Sequence, residues 1–81
     1  MRTYYKIELF TDDSNTCYKS KTLEKSRGGH ILRDDNGAVK FAKMMLEKCK
    51  SCTYALIFSD LKEHELNLEL KDRMPSYEVT L

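Results

Sequence analysis

Cys49-Lys50-Ser51-Cys52 is the arrangement in this sequence that holds the most chemistry. Two thiols three positions apart can chelate zinc or cycle between dithiol and disulfide. Redox work favours a nucleophilic thiol at a helix N-terminus, where the dipole stabilises the thiolate. Here the pair falls at the end of a helical pattern, where the dipole acts in the opposite sense, and Cys49 sits on that pattern's apolar stripe. Lys48 and Lys50 offset this in part. Structural zinc takes four ligands, and the remaining Cys and His residues are Cys17, His30 and His64, spread over a strand, a loop and a polar turn. The first expectation is therefore two small side chains filling a helix–strand corner, with no metal and no cofactor. A zinc- or thiol-dependent protein using Cys49 and Cys52 is the alternative.

Other catalytic sets are weaker. Ser14, Ser20, Ser26, Ser51, Ser59 and Ser76 lack the context of a nucleophile elbow. His30 follows Gly28-Gly29, and His64 lies between Glu63 and Glu65, both in surface-like settings. Asp12-Asp13 and Asp34-Asp35 fit turn and capping roles as they stand. Gly28-Gly29 lacks the spacing of a phosphate-cradling loop. The chain is not expected to be an enzyme.

Charge is gathered unevenly. The 81 residues carry 14 Lys+Arg and 13 Asp+Glu, a net charge of +1, yet Lys19 to Lys50 holds nine basic residues against four acidic ones. Lys19, Lys21, Lys25, Arg27, Arg33, Lys40, Lys43 and Lys50 are the candidate basic surface. Such a surface attracts phosphates or an acidic protein face, more weakly as salt rises. Tyr4, Phe10 and Tyr18 are the candidate aromatic contacts, able to stack on bases or anchor a protein interface. Against this stands the plainer expectation that a lysine-rich helix face is solvation and edge-strand lysines prevent aggregation. Arg27-Gly28-Gly29 is a single copy of a triplet that RNA-binding segments repeat many times.

The elements that must position these residues can be read from periodicity. Over residues 2–11, Tyr5, Ile7 and Leu9 fall on one side, and Arg2, Tyr4, Lys6, Glu8 and Phe10 on the other, as in a half-buried strand. Asp12-Asp13-Ser14-Asn15 is a turn, and Thr16 to Leu23 reads as the returning, lysine-guarded edge strand. Glu24 to Asn36 reads as a loop with a short extended piece at His30–Arg33, and Asp34, Asp35 or Asn36 can cap the next element. Ala38 to Lys50 is the predicted helix. Ala38, Phe41, Ala42, Met45 and Cys49 lie at steps of three and four, with Lys40, Lys43, Glu47 and Lys50 opposite. Thr53 to Ser59 is apolar on both parities, as in a strand covered on both faces. Asp60 to Glu65 is a polar connection of at most one helical turn. Leu66, Leu68 and Leu70 alternate with Asn67, Glu69 and Lys71 as a further strand. Asp72 to Ser76 turns around Pro75, and Tyr77, Val79 and Leu81 form the last strand.

The resulting order is β-β-(β)-α-β-β-β: one α+β domain over residues 1–81, a single α-helix packed on an antiparallel β-sheet of four to six strands. A chain of this length should bury roughly 60–65% of its unfolded surface. A mean hydropathy of −0.60 and the lack of a long apolar run exclude a helical membrane span. The opening residues carry no signal-peptide pattern, and three cysteines make an odd disulfide set, so a reduced, cytoplasmic protein is expected. An exposed edge strand or the Met44/Met45 flank of the helix could also pair two copies into a homodimer.

At the level of plan, the chain resembles the small single-domain proteins encoded by phages and mobile elements, anti-CRISPR proteins among them. That resemblance implies a non-catalytic inhibitor that occludes a partner surface on a protein or ribonucleoprotein, such as a nucleic-acid-handling complex. The other expectation is direct RNA or single-stranded DNA binding through the basic 19–50 region.

Overall fold

Alternation in the first strand translates directly into a core face. The computed structural model describes residues 2–11, 17–25, 34–67 and 74–81. Strand β1 spans Tyr4–Phe10, and its Tyr5, Ile7 and Leu9 have no exposed surface. It is flanked by β2 (Lys19–Glu24) and β3 (Tyr54–Leu61), and β3 in turn pairs with β4 (Tyr77–Thr80). Every pairing is antiparallel, in the order β2-β1-β3-β4. The described residues thus give an α+β domain with one helix on a four-stranded antiparallel sheet. No described helix is long and apolar enough to cross a membrane.

Helix α1 spans Asp35–Lys48. It starts three residues before the expected Ala38, because the Asp34 carboxylate accepts the Gly37 N–H at 2.9 Å and satisfies one of the free amides of the first turn. Gly37, Ala38 and Ala42 are buried, and side chains this small let the helix axis approach the sheet closely. Leu46 completes the seam. Against it the sheet presents Tyr5, Ile7, Leu9, Ala55, Ile57 and Val79, one continuous apolar cluster. Fully burying an aliphatic side chain of the size of Ile7 or Leu9 contributes about 1.5–3 kcal/mol, so this layer dominates the stability.

A smaller layer lies on the opposite face of the sheet, where Phe58 and Leu61 are buried with Tyr4, Leu56 and Leu66 against them. Phe58 and Leu61 would point to opposite sides of a regular strand. Tyr4 pairs with Leu61 and Lys6 with Phe58, so β3 carries one residue more than β1 over this stretch. The extra residue returns Leu61 to the Phe58 side. Asp60, at φ 56°, takes the left-handed conformation that the bulge requires.

Leu66 corrects the sequence expectation. The strand expected through Leu66, Leu68 and Leu70 does not start there, since Glu63–Asn67 forms a 3-10 turn. Its hydrogen bonds are local: Glu65 N–H to the Lys62 carbonyl at 2.9 Å, and Lys62 N–H to the Glu65 carboxylate at 2.9 Å. Leu66 then packs on Phe58 and Leu61. Leu68 to Leu70 and the extended piece expected at His30–Arg33 lie outside the described residues.

Candidate binding groove between β2 and α1

Pairing register decides where the first lysines go. Lys21 stands opposite Ile7 and Lys19 opposite Leu9, so both share the side of the sheet on which α1 lies. Among the described residues no helix covers β2 itself, and its residues are exposed apart from Leu23. On α1, Phe41, Met44, Met45 and Lys48 follow the spacing i, i+3, i+4, i+7, which makes one flank of a helix. That flank faces β2. Between them runs a groove with a cavity of about 230 Å³. Leu9, Phe41 and Met45 give it an apolar floor, and Met44, Lys19, Lys21 and Lys48 stand at its rim.

No carboxylate lines this groove among the described residues. The Lys21 ammonium lies 5.4 Å from the centroid of the Phe41 ring, close enough for a cation–π contact that fixes the lysine over the floor. Met44 remains 39% exposed, a large apolar side chain held at the mouth. Methionine flanks of this kind adapt their shape to what they contact.

Comparison with known protein families, with curated proteins and with solved structures gives no match for this chain.

The expected basic surface divides. Lys19 and Lys21 meet in the groove, joined by Lys48, whose part is visible only once β2 is placed beside the helix. Lys40 and Lys43 are exposed on the outer side of α1, with Glu47 between them around the helix, and Lys50 is exposed just past the helix end. Lys25 belongs to the other end of β2. It pairs with Asp60 at 3.7 Å, and its ammonium lies 5.9 Å from the Tyr5 ring. Its surroundings are acidic, with Asp34, Asp35 and Asp60 lining the same shallow depression. Arg27 and Arg33 lie outside the described residues.

The aromatic contacts divide too. Tyr18 is 59% exposed, one residue before β2. Phe10 is buried, its ring stacked on Tyr54 at 5.2 Å and 9°, and Tyr4 is half-buried against the Phe58–Leu61 layer. Neither offers a free ring for stacking on bases. Their alternation with Tyr5, Ile7 and Leu9 suggested solvent, but β3 is apolar on both parities and supplies them with partners.

Two of the three thiols, Cys49 and Cys52, are in contact, and the Cys52 thiol is raised by burial, by Cys49 and, least, by the nearby Cys17. Cys49 closes one end of the groove and contacts Cys52, while Cys17 donates to the Lys19 carbonyl at 3.2 Å. Among the described residues no three Cys, His, Asp or Glu side chains form a metal-binding group, and His64 is exposed on the 3-10 turn.

Proposed function

We propose that this chain is a non-catalytic binding protein, and that its β2–α1 groove takes an acidic, partly apolar segment of a partner protein. One observation carries the reading: three lysines stand around an apolar floor with no carboxylate among the lining residues. An acidic segment with one or two large apolar side chains matches both features. The apolar residues fill the floor beside Met44 and Met45, and the carboxylates meet Lys19, Lys21 and Lys48. Seating such a segment lets the chain cover the surface around it. On a nucleic-acid-handling complex that would make it an inhibitor, the role implied by its resemblance in plan to phage-encoded proteins. Direct nucleic-acid binding finds less support, because Phe10 and Tyr4 are packed and Lys25 is neutralised by Asp60.

The test is titration of the isotopically labelled chain with a synthetic acidic-leucine peptide, its lysine-for-glutamate counterpart and a single-stranded oligonucleotide. The acidic peptide is expected to shift the Met44 and Met45 methyl signals, with affinity falling as salt rises. Lys21→Glu combined with Lys48→Glu should abolish the shift while the amide spectrum stays folded. Equal response to the basic peptide, no response at these methyls, or tighter binding of the oligonucleotide overturns the proposal.

A further inference from the structure

We propose that Cys49 and Cys52 form a reversible thiol–disulfide site for low-molecular-weight disulfides, with Cys49 as the attacking sulfur and Cys52 as the resolving one. The chemistry does not rest on the identity of the groove's partner, and it is tested on the chain with the groove empty.

The geometry comes from how α1 ends. Cys49 is the C-cap residue, at φ −112° and ψ 93°, its N–H donated to the Met45 and Leu46 carbonyls. Its own carbonyl accepts the Cys52 N–H at 3.1 Å, which closes a four-residue turn over Lys50 and Ser51. Such a turn brings its first and fourth residues within the Cα separation that a disulfide spans. The two sulfur atoms are in direct contact. Cys49 is partly exposed at the end of the groove, where a small disulfide can reach it, and Cys52 is buried behind it. The environments differ in the same sense. The Cys52 thiol, and secondarily the Ser51 hydroxyl, hold Cys49 below the usual thiol range. Burial, with the neighbouring Cys49, pushes Cys52 up to about 11. The helix dipole counts against a thiolate at this end, and the direct contact with Cys52 opposes it.

The Cys49 thiolate attacks one sulfur of a disulfide RSSR; the S–S bond breaks, and the departing thiolate takes up a proton as RSH. Cys52, losing its proton to solvent, attacks the Cys49 sulfur of the mixed disulfide and expels the second RSH. Two protein thiols are oxidised, and one external disulfide is reduced to two thiols. Excess thiol runs the sequence backwards.

Incubating the reduced chain with stepped ratios of oxidised to reduced glutathione, then acid quenching, alkylation and peptide mass mapping, tests this. The expected result is loss of two hydrogens from the peptide spanning Cys49 and Cys52, reversed by excess thiol, with Cys17 still open to alkylation. Cys52→Ser should accumulate a glutathione adduct on Cys49, and Cys49→Ser should form its adduct at Cys52 about tenfold more slowly. The measurement on the unsubstituted chain decides the matter even where a variant fails to fold. Both thiols remaining free at the most oxidising ratio, or equal adduct formation at Cys17 and Cys49, overturns the proposal.

Discussion

Asp35 is held from both sides of the sheet's core face. Its carboxylate accepts the Tyr5 hydroxyl at 2.9 Å and the Tyr77 hydroxyl at 2.8 Å, which ties the first turn of α1 to β1 and to β4. A carboxylate at this position is also favoured by the helix dipole. Tyr5→Phe leaves the ring in place and removes one charge-assisted hydrogen bond, so a loss of about 1.5–3 kcal/mol is expected in urea unfolding. Alkaline pH should act through the same residue. Burial, followed by the Asp35 carboxylate, raises the Tyr5 hydroxyl well above the ordinary tyrosine range. The unfolded chain therefore gives up this proton first. The stabilisation is complete below about pH 10 and is lost as pH climbs past it, and Tyr5→Phe should flatten that decline. That Tyr5 points inward can be read from its alternation with Ile7 and Leu9. That its hydroxyl meets Asp35 cannot, because the contact joins residues 30 positions apart and depends on where the helix lands.

The bulge in β3 shows what periodicity conveys about an element and what it leaves out. Apolar residues on both parities correctly signal a strand covered on two faces, and a helix cap within Asp34–Asn36 is also legible, though only the structure picks Asp34. The extra residue is invisible, because it rests on one backbone conformation at Asp60 and a shifted register against Tyr4. Leu66 misleads for a related reason: its spacing with Leu68 and Leu70 reads as strand, while hydrogen bonds between Lys62 and Glu65 place Leu66 itself in a turn. The groove itself is half legible. The lysines and the Met44/Met45 flank stand out in the sequence, but only the register of β2 on β1 brings them together. Asp60→Val separates the causes at the bulge. A β-branched side chain at positive φ should cost about 1–2 kcal/mol, whereas Asp60→Asn tolerates that conformation and loses only the exposed pair with Lys25. The asparagine variant should therefore stay within about 0.5 kcal/mol of the parent in thermal unfolding.

For the whole molecule the margin is narrow: 81 residues at typical per-residue stability give about 4–12 kcal/mol in total. Ile57 has no exposed surface and sits at the centre of the main cluster. Ile57→Ala should cost about 2–5 kcal/mol, a large share of that margin, and should shift the urea midpoint without splitting the transition. The position of β1 also bears on how the protein is made. Of the described strands β1, an inner one, is synthesised before the others, yet Ile7 waits for Ile57, fifty residues downstream, before its second edge is satisfied. Until then a Tyr-Ile-Leu ribbon has only the polar, lysine-bearing β2 hairpin partner beside it. Translation thus creates a half-built sheet with one sticky side, and the interval before β3 emerges is when a nascent chain of this design is most open to chaperones or to misassociation with its siblings.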